Sequence, residues 1–319
     1  MSTGVDAGLL SRIRDAISCP ARDIGLNTAA SARRKMTAGL AAGQRPVFHV
    51  GLVMGHILFR SILVASITVA TSATAADVVG ARKELAPTGR LRVGVVSAPK
   101  ANVFFVAMDA GGKPHGVTVD LGDELARTLE VTSEFLVAHN SGEVTDTLEK
   151  ELIDVAFLPI DDERRKRVVF GPAYNLFEST CLVLGGSDFK TISDLDRPGV
   201  RVAGEANTTT IRAAAGVLKV AVVVAVPSVS EGIGMLRGGQ VDAFALGRDA
   251  LVPYQAEIPG SRILDGHFHT TGIAIAVPKQ RPAALAYVTA FINEARTSGF
   301  IRLVFDKAGL QSTSVAPPE

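Results

Sequence analysis

From Leu91 onward, short apolar runs take turns with apolar stripes at helical spacing, and that alternation confines the chain to one class of architecture. Arg92-Val93-Gly94-Val95-Val96 reads as a strand. Leu121, Leu125 and Leu129 then recur every fourth residue, which sets them on one face of a helix. Val144, Leu148 and Leu152 repeat the spacing ahead of a fully apolar run, Val155-Ala156-Phe157-Leu158-Pro159-Ile160, that reads as a buried strand. A second series begins near Leu182, with a strand over 200–203, a helix over 208–218, a β-branched strand over 221–226 and a further strand over 243–246. Within it, Ser228-x-x-Glu231 has the form of a capping box. Residues 282–292 and 300–308 supply two last helices, the second stopped by Gly309. The pattern predicts an α/β fold, and 319 residues suffice for two domains.

Apolar residues make up 47% of the chain and charged residues 20%, a globular rather than a disordered composition. Aromatics are 5% and Trp is absent, so any cleft is expected to be lined by small side chains, with Phe as the main stacking group. The front end reads differently. Met54-Gly55-His56-Ile57-Leu58-Phe59-Arg60 leads into a mostly apolar stretch over 61–70 and then Ala73-Thr74-Ala75. A basic start, an apolar core and a small-x-small end describe a secretory signal over 54–75, cleaved after Ala75. His56 and Arg60 interrupt any window of the roughly 20 apolar residues that a membrane span needs. Residues 1–53 are then expected to be a non-native or disordered extension, with Met54 as the true start and the periplasm as destination.

Removing residues 1–75 takes eight of the 33 Lys/Arg and three of the 32 Asp/Glu, which leaves 25 against 29 and a net charge of −4. That balance gives no reason to expect a nucleic-acid or anionic-membrane partner. Cys181 is then the lone thiol, and no Cys/His spacing suits a metal, so neither a disulfide nor a cofactor is expected.

The buried run at Val155 opens into a basic turn, Glu163-Arg164-Arg165-Lys166-Arg167, and then Val168-Val169-Phe170-Gly171-Pro172-Ala173-Tyr174. By charge alone this is either a solvated basic face or an arginine at the mouth of a cleft. The order strand, acid-Arg, Phe-x-x-x-Tyr resembles the signature of the family 3 extracellular solute-binding proteins, the amino-acid receptors of ABC importers. Further motifs follow in the family's order over residues 91–309. Gly112-Lys113-Pro114-His115-Gly116-Val117-Thr118-Val119-Asp120-Leu121 is similar to the start of its first helix, with Val117 replacing an aromatic. Asp194-Leu195 with Gly199-Val200-Arg201-Val202, Gly239-Gln240-Val241-Asp242-Ala243-Phe244, and Gly272-Ile273-Ala274-Ile275-Ala276-Val277-Pro278 are similar to its later strands.

The resemblance implies a two-lobed, type II periplasmic-binding-protein fold with two crossover strands as hinge. Lobe 1 would comprise 88–178 plus 268–319 and lobe 2 would comprise 179–267, with crossings at Glu178-Ser179-Thr180 and Gly266-His267-Phe268-His269. It implies a monomeric receptor for a small anionic or zwitterionic solute, partnered by an inner-membrane ABC permease. Arg164 would grip the ligand's carboxylate, since a guanidinium matches it in bidentate fashion. Asn207, Thr208 and Thr209 stand where the family has Gly-Thr-Thr at a helix start, as anion donors or as an ordinary N-cap. Ser97, Asn102, Phe104 and Asn140 follow strands on the first-lobe side.

Two departures bear on the ligand. The acid that pairs an α-ammonium in amino-acid binders is here Gly247, followed by Arg248, and the hydroxyl run before the cleft arginine is Ala156-Phe157-Leu158-Pro159. Either the ligand is a carboxylate without an α-amine, or Glu205 or Asp249 supplies the counter-charge. His267 and His269 alternate around Phe268 and read as hinge residues. Some relatives of the family are dehydratases, but Gly247 leaves that lobe-two position without an acid or base, so no enzyme is expected. A free receptor feeding a sensor is the other alternative.

Overall fold

The computed structural model describes residues 75–98 and 100–318; the expected extension and all of the signal segment before Ala75 lie outside the described residues. Helix α1 (Ala75–Leu85) leads into β1 (Arg90–Ser97), β2 (Phe105–Met108), β3 (Pro114–His115), α2 (Val117–Thr128), β4 (Thr132–Ala138), α3 (Ser141–Glu149), β5 (Val155–Pro159), α4 (Asp162–Arg165) and β6 (Val168–Val183). After a short 3-10 turn (Ile192–Leu195) come β7 (Arg201–Glu205), α5 (Thr209–Val217), β8 (Val222–Val226), α6 (Val229–Arg237), β9 (Ala243–Gly247), α7 (Arg248–Glu257), β10 (Arg262–Ile263), β11 (His269–Pro278), α8 (Pro282–Thr297) and α9 (Phe300–Lys307).

One strand belongs to two arrays. The 16 residues of β6 pair antiparallel with β11 from Val168↔Pro278 to Ser179↔His269, and with β9 from Ser179↔Gly247 to Val183↔Ala243. On the β11 side lie β5, β1 and β4, the last three mutually parallel. On the β9 side lie β7 and β8, also parallel to β9. Parallel neighbours need crossover connections, and α2, α3, α5 and α6 provide them, as the alternating pattern predicted. The C-terminal ends of β1 and β7, with the loops that follow, converge on the shared part of β6. In open α/β sheets such carboxyl ends border the ligand crevice.

Two apolar clusters hold these arrays. The larger includes Leu91, Leu125, Phe157, Tyr174, Phe291 and Phe305, and it continues through Phe177 and Leu246 to Phe244. The smaller lies on the other face of the second array and contains Cys181, Val202, Leu195 and Leu218. Tyr174 is fully buried and its hydroxyl donates to the Val103 carbonyl at 2.6 Å, which ties β6 to the loop before β2.

Several local expectations are modified. The helix over α3 stops at Glu149, so Leu152 falls in the following turn and is exposed rather than continuing the stripe. Ser228 caps α6 by accepting from the Glu231 amide at 3.2 Å, one half of the expected box. Strand β4 and helix α7 were not evident in the sequence. The former is a one-sided partner of β1 with alternating exposure, and the latter contains Pro253.

Candidate ligand-binding cleft

Strand β5 ends at Pro159, and Asp161 caps the short helix α4 by accepting from the Arg164 amide at 2.8 Å. The turn aims the Arg164 side chain inward, where it is 2% exposed. Its Nε donates to Thr145 Oγ1 at 3.0 Å. Nη1 donates to the Pro159 carbonyl at 3.1 Å, to Asp161 Oδ2 at 3.0 Å and to Thr209 Oγ1. Nη2 donates to Ser141 Oγ at 2.7 Å and to the Asn207 carbonyl at 3.4 Å. Asp161 also accepts from Thr209 Oγ1 at 2.5 Å and from Arg212. Burial lowers the Arg164 guanidinium to about 10, against the opposing pull of Asp161. Burial works against the Asp161 charge as well, but Arg164, the Thr209 hydroxyl and Arg212 outweigh it and hold the carboxyl below its ordinary range.

The expected carboxylate-gripping arginine is thus engaged within the chain itself. The fork of Arg164 is already occupied, and part of what fills it is the chain's own carboxylate. Arg164 borders only a 150 Å³ crevice, with Asn207 and Arg212.

The segment 207–209 divides its duties. Thr208 is an N-cap, accepting from the Ile211 amide at 3.3 Å and donating to the Glu205 carbonyl at 2.7 Å. Asn207 adopts a left-handed φ of 61°, which turns its carbonyl toward Arg164. Thr209 joins the Arg164–Asp161 network, so it bridges the two arrays of strands.

Gly247 ends β9, and the ring of Phe177 from β6 lies directly over it; an added Cβ would stand 1.9 Å from a ring carbon. The position that carries an acid in amino-acid binders is thus filled by an aromatic ring. Phe104, 3% exposed, meets Phe177 edge-on at 6.1 Å and Phe105 at 4.7 Å, so it is packed core rather than a stacking platform. Between these rings, Ser141, Thr209 and Leu246 only 20 Å³ of space remains. Arg248 turns away to Glu178 at 3.1 Å and to the Gly266 carbonyl, on a separate 300 Å³ cavity. His267 Nδ1 approaches the same Glu178 at 3.5 Å, and no group of metal-ligating side chains occurs among the described residues.

The large space lies elsewhere. A cavity of about 770 Å³ opens between the loops after β1 and β4 on one side and the ends of β7, β8 and β9 on the other. Ser97, Asn102 and Asn140 line it as expected of strand-following loops. All three are held locally: Ser97 Oγ donates to the Ala138 carbonyl at 3.3 Å, Asn102 Oδ1 accepts from the Phe104 and Phe105 amides at 2.8 and 2.7 Å, and Asn140 caps α3 through the Glu143 amide at 2.9 Å. Facing them are Glu205, Ser228, Asp249 and Tyr254. Glu205 is 5% exposed, and burial pushes its carboxyl up to about 7, with the Val229 amide pulling the other way. Burial also raises Asp249, assisted by Glu178 and opposed by Arg248.

Glu205 and Asp249 were legible as alternative counter-charges, whereas Glu143 and Tyr254 were missed. The available signal for Tyr254 was helical spacing after Gly247: Asp249, Ala250, Pro253 and Tyr254 share one face of α7, and all four line the cavity.

The model of the bacterial extracellular solute-binding proteins, family 3, matches residues 92–310. Among solved structures, a mutant of ArgBP from T. maritima is 27% identical with a TM-score of 0.63, over 72% of this chain and 99% of that one. An ancestral amino acid-binding protein, described as a precursor of cyclohexadienyl dehydratase, is 26% identical with a TM-score of 0.60, over 70% and 97%. An ancestral arginine-binding protein bound to arginine is 27% identical with a TM-score of 0.61, over 69% and 97%. No curated protein sequence matches the chain. With more than half its length matched, in the two-lobed α/β fold, this chain belongs to the bacterial extracellular solute-binding proteins of family 3.

Proposed function

We propose that the chain is an exported, monomeric receptor that captures a small solute in the periplasm and presents it to an inner-membrane ABC permease. The observation that carries this reading is the cavity of about 770 Å³ walled on one side by the loops after β1 and β4 and on the other by the ends of β7, β8 and β9. A ligand touching both walls favours the closed arrangement, and closure gives the permease a surface to recognise. The lobes are taken as 88–178 with 268–319, and 179–267, joined at the two crossings. The test is thermal shift across a panel of amino acids, amines, carboxylates and sugars, followed by mass spectrometry of the bound compound. A ligand that raises the melting temperature and is recovered unchanged supports the receptor.

A second reading rests on Glu205, since a carboxyl near 7 in a cavity suits general acid–base work. Recovery of a chemically altered compound favours that enzyme.

A further inference from the structure

The cavity's own charges point to a ligand class, an inference that rests on the receptor reading above. We propose that the cleft takes an organic cation, an aliphatic amine or guanidinium without an anchored carboxylate, held by Glu205 and Asp249 in the large cavity rather than at Arg164.

Three observations converge. First, the anion site is occupied: Asp161 sits on Arg164, Thr209 and Arg212, which leaves a crevice of 150 Å³ beside Arg164 and only 20 Å³ on the side of Thr209 toward the Phe104 and Phe177 rings. A ligand carboxylate would have to expel a carboxylate already fixed there by charge-assisted bonds. Second, Glu205 ends β7 facing into the cavity, 5% exposed, and no cation pairs with it among the described residues. Buried acids are ordinarily paired, because an isolated ionised carboxylate is costly away from water. An incoming ammonium or guanidinium meets that need. Third, the wall carries further acceptors and two rings suited to a cation: Asp249 and Glu143 as carboxylates, with Phe105 and Tyr254 as aromatic faces.

Glu143 is partly engaged, since it accepts from the His139 amide at 3.0 Å. The titratable groups that face Glu205 across the cavity are Lys100, His139 and Glu143 from the first array, and Asp249 and Tyr254 from its own side. Of these Lys100 and His139 are the basic side chains, and both stand on the opposite wall.

The test is calorimetry on the exported protein with agmatine and putrescine as cations, and succinate and glutarate as anions. Agmatine or putrescine is expected to bind, with at least tenfold loss in Glu205→Gln and in Asp249→Asn. Because the cation needs ionised Glu205, affinity is expected to fall about tenfold from pH 8 to pH 6 in the parent protein, and this dependence is expected to vanish in Glu205→Gln. The amide is nearly isosteric and uncharged, so that variant is expected to fold, and its melting curve checks that it does. Binding of succinate or glutarate with both amines inert overturns the proposal while leaving the receptor intact. Amine binding unchanged in both variants overturns it too. If the whole solute panel is silent, the receptor reading fails along with it.

Discussion

Arg164 shows how far a single side chain's role depends on partners that are distant in sequence. Ser141 and Thr145 come from α3, Asp161 from its own turn, and Asn207 and Thr209 from the start of α5. The motif around Arg164 was legible, and so was its kinship with a carboxylate-binding arginine. Its enclosure was not, because no local pattern reports that three separate segments close on one guanidinium. The consequence is measurable. Arg164→Ala leaves Asp161 with Arg212 as its remaining charged partner, beside the Thr209 hydroxyl, so a loss of about 3–5 kcal/mol in unfolding free energy is expected, the scale for removing one partner of a buried pair. Denaturant titration checks it; a loss below about 1 kcal/mol would mean that the side chain is solvated, as a surface pair is.

Strand β9 and strand β6 meet at Gly247 and Phe177, and their closeness there depends on the missing Cβ. Gly247→Ala is expected to destabilise the protein by about 1–3 kcal/mol through overpacking. Adding Phe177→Leu is expected to recover part of that loss, because the two residues touch and their effects are not additive. Thermal melts of the single and double variants decide it. At this scale the sequence was readable wherever a period persisted. The leucine stripe of α2 and the apolar runs of β5 and β7 each show one face or one buried core. Strand β4 escaped because only its Phe135, Val137 and Ala138 pack against the core, while the exposed Leu136 among them breaks the alternation of apolar and polar residues. Helix α7 escaped because it carries polar residues toward the cavity and a proline in its second turn.

For the molecule as a whole, Asp161 and Glu205 set opposing limits on stability. Asp161 is depressed in the fold, so its contribution is complete above the unfolded carboxyl value near about 4 and is lost as pH falls through its folded value. Glu205 is raised to about 7, so its contribution is complete below the unfolded value and is lost as pH climbs to 7. The ligand-free protein is therefore expected to melt highest near about pH 5 and to lose stability toward pH 7.5. Glu205→Gln is expected to flatten that upper limb; an unchanged slope would locate the titration elsewhere. The two-array architecture was legible from motif order, and the cavity's position follows from it. The cavity's sign of charge was not, because it depends on which of several acids end up paired.

Cys181 sits fully buried in the smaller apolar cluster, and burial pushes its thiol well above the ordinary value. A thiol that is neither exposed nor ionised is inert toward alkylating dyes. With Cys19 lying ahead of the expected cleavage point, a chain beginning at Ala76 has a silent thiol background. A fluorophore attached through Leu176→Cys, at an exposed position on the shared strand itself, would be the sole label on the protein. The receptor can thus be converted into an optical reporter of its own ligand without first removing its native cysteine.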